Sequence, residues 1–215
     1  TALEADKILN LAGIKMPKSA VIKNLNEAEK FAEAQGWPVV LKISSPEMLH
    51  KTERGGVVVN IDSPIKLAQA WKKISQSASR LSKKSYYDIY IQKQVVAGVE
   101  VIMGVKYDSS FGNVLMFGAG GVLAELVADS NLKLLPTDER GVAGLISKSK
   151  IFPLLSGFRG KKSYAINKLI ETIVKLCNLA ENISFFKEME INPIILTGKD
   201  AWAVDGRIIL KETNV

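Results

Sequence analysis

The chain has almost none of the side chains that build metal or redox centres: one cysteine (Cys177) and one histidine (His50) in 215 residues. A single thiol excludes an internal disulfide and any zinc site built on cysteine pairs, and makes a reducing, cytoplasmic location the default expectation. No apolar run approaches the roughly 20 residues a membrane-spanning helix needs, so no membrane role is expected. The opening segment TALEADKILNLAGI carries Glu4 and Asp6 within a helical pattern and does not read as a secretory signal. Aromatic residues are only 7% of the chain. The basic clusters KKIS, SKKS and RGKK are short and hold no interleaved aromatics, so the net charge of +7 points to a lysine-rich surface or an anionic partner rather than to nucleic acid. Also missing are a G-x-G-x-x-G after a first strand and a G-x-x-x-x-G-K-[ST] loop, which removes two common ways of holding a phosphate.

What is present is enough apolar sequence, 47%, for one sizeable core or two small lobes. Thr1 and Glu4 have capping-box spacing for a helix that Gly13 can close. A second helix is predicted over 26–35, ending at Gly36. Pro38 precedes the β-rich run VVLKIS, and GVVVNI follows the loop that holds His50. Ser63 and Pro64 read as N-cap and first position of a helix reaching about Ser82. DIYIQKQ, GVEVIMGVKYD and NVLMFGA read as strands, GAGG (118–121) as a flexible turn, and Thr137 as the cap of a short helix weakened by glycine. Over 163–180, Ile166, Leu169, Ile170, Ile173, Val174 and Leu176 repeat with helical period. KEMEINPIIL and AWAVDGRIIL close the chain as strands. Helices mixed with hairpins, without strict βαβ alternation, predict an α+β fold rich in antiparallel sheet.

The last hairpin carries chemistry. A turn centred on Gly198-Lys199 pairs Leu196 with Ala201, Ile194 with Ala203, Asn192 with Asp205, and Glu190 with Arg207. With side chains alternating, Glu190, Asn192, Asp205 and Arg207 share one face, while Ile191, Ile195, Trp202, Val204 and Ile208 form a core face on the other. Asp205 and Asn192 offer the hard oxygen donors that Mg²⁺ takes alongside water and phosphate. A solvated face with a cross-strand Glu190–Arg207 pair accounts for the same pattern, and a one-residue register slip would undo both readings.

The segments PVVLKISSPEMLHKTERGGVVVNI, GVEVIMGVKYDSSFGNVLMFGAGGVLAELVAD, LLSGFRG and EMEINPIIL with AVDGRI occur in this order along nearly the whole chain. In them the chain resembles ATP-grasp proteins, specifically the β subunits of ADP-forming acyl-CoA synthetases (acetate–CoA ligases), and more distantly succinyl-CoA synthetase β. The resemblance implies two α+β lobes clamping ATP between antiparallel-rich sheets: a small lobe over about 20–95 and a larger one over 1–19 and 96–215. It implies a reversible exchange of ATP, acid and CoA with ADP, phosphate and acyl-CoA through phosphohistidine. A separate α subunit carries CoA and its own histidine, so a hetero-oligomer is expected; fused single-chain forms also occur. An ATP-grasp module that binds nucleotide or regulates without catalysis is the alternative reading.

Residue by residue, the resemblance makes His50 in the LHK…GGV motif the phosphoryl acceptor, a role suited to imidazole near neutral pH. Without the motif, a lone histidine reads as a surface or structural residue. Lys42 matches a lysine that contacts ATP phosphates, where the residue alone reads as a lysine at a strand edge. Gln92, Lys93 and Val95 match the linker that reads adenine, largely through backbone groups, and Glu100 an acid near the ribose. Asn192 and Asp205 match Mg²⁺ ligands, and Glu190 an acid that orients the phosphohistidine ring. Lys51, Arg54, Gly55 and Arg207 are candidate phosphate contacts. The cofactors implied are ATP/ADP and Mg²⁺.

Overall fold

The computed structural model describes residues 1–47, 54–81, 86–158 and 162–211. In chain order the elements are α1 (Ala2–Leu11), β1 (Ser19–Ile22), α2 (Leu25–Gln35), β2 (Val39–Ser44), β3 (Val57–Ile61), α3 (Pro64–Ala78), β4 (Asp88–Lys93), β5 (Val99–Asp108) and β6 (Gly112–Ala119). They continue with α4 (Val122–Val127), β7 (Ser130–Leu134), α5 (Glu139–Ser147), α6 (Phe152–Leu155), α7 (Ile166–Asn182), β8 (Phe186–Leu196), β9 (Ala201–Ala203) and β10 (Gly206–Leu210). The chain divides into two compact units, one of 17–96 with Thr1, the other of 2–16 and 97–215.

In the first unit a four-stranded antiparallel sheet, ordered β1-β4-β2-β3, packs one face against α2 and α3. Alternation sets that face: Val39, Leu41 and Ile43 of β2 and Ile89 and Ile91 of β4 are all buried in one core with Leu67, Ala70, Ile74 and Ala78 of α3. Burying each of the large aliphatic side chains stabilises the unit by about 1.5–3 kcal/mol. The helix starts are fixed locally. Asn24 accepts from Glu27 N–H at 3.0 Å while Glu27 accepts from Lys23 N–H at 2.8 Å, so α2 begins at Leu25 on a reciprocal cap. Ser63 accepts from Lys66 N–H at 3.4 Å with Pro64 in the first turn, as the sequence predicts; α3 ends at Ala78, and Ser82 lies outside the described residues.

In the second unit β10-β8-β5-β6-β7 form an antiparallel sheet, extended by β9 on β8. One face is covered by helices: Leu169, Ile173, Leu176 and Cys177 of α7 and Val142, Leu145 and Ile146 of α5 are buried with Val101, Met103, Val105, Leu115 and Phe117 of the sheet. The opposite face carries the even-numbered residues of β5, from Glu100 to Lys106, and is open. This is the antiparallel-rich α+β architecture expected. Two local readings change. The cap of α5 is Asp138, which accepts from Gly141 N–H at 2.8 Å, instead of Thr137, because the helix begins one residue later. The predicted helix over 163–180 runs over Ile166–Asn182. The strands β1 and β7 and the short helices α4 and α6 have too little pattern to be read in advance.

α1 is tied to the far end of the sheet. The buried carboxylate of Asp6 accepts from Gly206 N–H at 3.1 Å, and a Cβ at 206 would collide with Leu9 Cδ1. Gly206 is the residue that lets the helix approach, and it lies next to Asp205.

Candidate active site

Lys42 is buried, at 3% exposure, on an interior strand of the first sheet. That excludes a solvated lysine at a strand edge. Its Nζ donates to Gln92 Oε1 at 2.8 Å and lies 5.8 Å from the centre of the Tyr90 ring. Lys42, Ser44, Tyr90 and Gln92 are all buried even-numbered residues of β2 and β4, on the face opposite the helix-packed core. The other linker candidates are placed differently. The Lys93 ammonium is committed to the carbonyls of Gly36 and Trp37, at 3.0 and 2.6 Å, so any nucleotide contact there falls to its backbone. Gln94 and Asn60 bond reciprocally, Asn60 N–H to Gln94 Oε1 and Gln94 Nε2 to Asn60 Oδ1, both at 2.7 Å. Val95 is half-buried beyond the end of β4. His50 and Lys51 lie outside the described residues. Just after them, Arg54 Nη1 donates to the Glu47 carbonyl at 2.8 Å, and Gly55 has φ +69°, a backbone angle that favours glycine.

In the second unit the hairpin pairs as its sequence predicts: Leu196 with Ala201, Ile194 with Ala203, and Arg207 with Glu190. Asn192 N–H donates to the Asp205 carbonyl at 2.9 Å, which sets those two residues opposite each other. Asn192 Nδ2 donates to Glu190 Oε1 at 3.1 Å. Arg207 stands 4.0 Å from Glu190 and 3.7 Å from Glu188. Glu188 is a member of the cluster that the sequence reading missed, although its spacing of two from Glu190 put it on the same face.

The core side of this hairpin differs from the expectation. Ile191 is fully buried, but Ile195, Trp202, Val204 and Ile208 are only partly so; the buried residues of the turn half are Ile194, Leu196, Ala201 and Ala203. The cause is a bulge. Val101 pairs with Ile194 but Met103 with Ile191, so β8 spends three steps where β5 spends two, and the buried parity switches at Asn192–Pro193.

Glu100 stands exposed at the start of β5 on the open face. The glycines of GAGG fit around it. Gly120 N–H donates to the Glu100 carbonyl at 2.9 Å, and Gly121, at φ +54°, comes so close to the Glu100 carboxylate that any Cβ would collide with Oε2. Along the same face the lining of a hollow of about 720 Å³ includes Gly104, Lys106, Met116, Leu132, Glu188 and Glu190.

Among the described residues no group of three or more histidine, cysteine and acidic side chains is placed to hold a metal by itself. Asp205 and Asn192 supply one carboxylate and one amide oxygen in register, a donor set that suits Mg²⁺ sharing its shell with water and phosphate.

A model of the ATP-grasp domain matches residues 1–210. The sheets, the open face and this match place the chain in the ATP-grasp family. It is similar to two Pyrococcus furiosus proteins: the β subunit of ADP-forming acetate–CoA ligase I, 38% identical over 208 residues (96% of this chain, 90% of that one), and that of ligase II, 34% identical over 212 (97% and 90%). A structure of dinucleotide-forming acetyl-coenzyme A synthetase 1 from Ca. Korarchaeum cryptofilum superposes with a TM-score of 0.82 at 33% identity, covering 98% of this chain and 92% of that one. That structure is a complex with coenzyme A and Mg-AMPPCP, its phosphohistidine segment pointing towards the nucleotide-binding site. No described helix is long and apolar enough to cross a membrane.

Proposed function

We propose that this chain is the nucleotide-handling β subunit of an ADP-forming acyl-CoA ligase, converting ATP, a carboxylic acid and CoA into ADP, phosphate and acyl-CoA, reversibly, in the cytoplasm. Its partner is a CoA-binding α subunit, or equivalent fused domains. The observation that carries this reading is the placing of Glu190, Asn192 and Asp205 together on the β8–β10 ribbon. It is supported by the buried ammonium of Lys42 and by the family to which the chain belongs.

Each residue has a defined task. Lys42 donates to phosphate oxygens of ATP, holding them by charge. Asn192 and Asp205 hold a Mg²⁺ ion, which when bound neutralises phosphate charge. Gln92 to Val95 lie against adenine through backbone groups, and Glu100 accepts from the ribose. An imidazole nitrogen of His50 attacks the γ-phosphorus: the N–P bond forms, the bond from phosphorus to the bridging oxygen breaks, and ADP leaves with that electron pair. Glu190 accepts the N–H of a phosphohistidine ring and so fixes its tautomer and orientation. Lys51, Arg54, Gly55 and Arg207 are assigned as phosphate contacts.

The test is phosphorylation of the chain by Mg-ATP in the presence of its CoA-binding partner. Acid-labile, base-stable phosphate is expected on wild type and absent from His50→Ala. Equal labelling of both removes His50 from the reaction. Nucleotide binding without any transfer to either subunit favours a non-catalytic module.

A further inference from the structure

Glu190 enters the site as the acid beside a phosphohistidine ring, yet one of its oxygens is already engaged by a neighbour. Its Oε1 accepts from Asn192 Nδ2 at 3.1 Å. The strand explains how they meet. The two residues are two apart on β8, on the face outside the core, so their side chains point the same way. The Asn192 backbone is fixed as well, its N–H donating to the Asp205 carbonyl at 2.9 Å. Beyond Asn192 the buried parity switches and Ile194 belongs to the core, so Glu190 is the polar neighbour that β8 itself gives this amide. The other carboxylate oxygen, Oε2, faces Arg207 at 4.0 Å.

The contact decides which end of the amide is left for a ligand. A carboxylate accepts hydrogen bonds and donates none, so only the NH₂ group of Asn192 can make this bond. The amide oxygen, the atom that a hard cation takes, is thereby turned away from Glu190. A flipped amide would offer a cation the positive ends of two N–H bonds and no electron pair. We infer that Glu190 is a positioning residue for the metal site: by engaging the Asn192 NH₂ group it holds the side-chain amide with its oxygen outward for the cation. This rests on Asn192 being a Mg²⁺ ligand. It gives one carboxylate a second duty besides the phosphohistidine ring. What the metal site requires at position 190 is then an acceptor of this length, not a charge.

The experiment measures ATP binding to the whole chain by calorimetry, once with excess Mg²⁺ and once with EDTA. The ratio of the two affinities isolates the contribution of the metal. Glu190→Met, which keeps length but has no oxygen, is expected to lower that ratio about tenfold or more, the usual loss when the partner of a metal ligand is removed. Glu190→Gln drops the charge but still accepts from the Asn192 amide, and is expected to stay within about threefold of wild type. Asn192→Asp puts oxygen on both branches of the side chain, so there orientation ceases to matter. Adding Glu190→Met to it is expected to lower the ratio by less than about twofold or to raise it. Equal loss in Glu190→Gln and Glu190→Met makes Glu190 act by its charge and overturns the inference. So does a wild-type ratio in Glu190→Met, or an equal loss when Glu190→Met is added to Asn192→Asp. In each case a lowered ratio in Asn192→Ala leaves the metal assignment standing. An Asn192→Ala chain with the wild-type ratio, or a wild-type chain that binds ATP equally with Mg²⁺ and with EDTA, overturns that assignment itself. Should Glu190→Met fail to fold, Glu190→Ala takes its place with the same outcomes.

Discussion

Asn192 and Asp205 oppose each other across the ribbon that ends the chain, the Asn192 N–H donating to the Asp205 carbonyl at 2.9 Å. The contact is between backbones, so side-chain changes at either residue leave the pairing intact. Asp205→Asn removes the only charge that this pair offers a cation. Titrating Mg²⁺ against a fixed concentration of ATP should show an apparent affinity lower on the order of tenfold, with an unchanged melting temperature. Equal Mg²⁺ dependence in both proteins would put the metal elsewhere.

Gly206 holds the same ribbon in place from behind. A methyl group there meets Leu9 Cδ1 and crowds the Asp6 carboxylate that accepts from its N–H. Gly206→Ala should cost roughly 1–3 kcal/mol in urea unfolding, the usual penalty of overpacking. Because α1 must move away, the variant should also weaken Mg-dependent nucleotide binding. A variant as stable as wild type would show that α1 yields freely.

Asp129 gives a pH signature. Burial works to raise its pKa, but hydrogen bonds from the Lys150 and Ile151 backbone and from Asn131 and Ser149 outweigh it and hold it below the ordinary 3.8. A depressed carboxylate contributes stability above its unfolded pKa and loses it as pH falls through the folded one. Asp129→Asn should therefore be less stable than wild type at neutral pH. The gap should close as the pH drops below about 3.8, read from urea unfolding across that range. A gap independent of pH would mean that the charge contributes nothing.

Cys177 should be chemically silent. It is buried in α7, and burial, with a smaller effect from the Glu181 charge, pushes its thiol up to about 12. Alkylation at pH 8 should leave the folded chain unmodified and label it fully in denaturant, since only the thiolate reacts. Rapid labelling of folded protein would contradict this burial.

Much of the second unit's site was legible in the sequence because a short turn fixes register. Once Gly198-Lys199 is taken as the centre, the partners of Glu190 and Asn192 follow by counting. The core side of that hairpin was not legible. A bulge leaves no mark in composition, and strict alternation assigns Ile195 and Trp202 to a place that Ile194 and Ala201 take. For Lys42 and Gln92 the limit was different. Residues 50 apart become diagonal neighbours only through strand order, and nothing local to either announces that β2 and β4 pair. The fold class was readable from hairpins and helical periods, while β1 and β7, at four and five residues, were too brief to show a period.

The change of buried parity at Asn192–Pro193 has a consequence for how this strand tolerates change. From Glu188 to Asn192 its even side chains lie outside the core, and from Ile194 on they belong to the interior. One strand thus serves two masters by shifting phase between them. Removing one residue at the shift would take out the bulge and keep Ile194 and Leu196 facing the core, because β8 would then spend two steps against the two of β5. Removing Ile195 instead, where the pairing is regular, would exchange the inside of the sheet for its outside from Leu196 on.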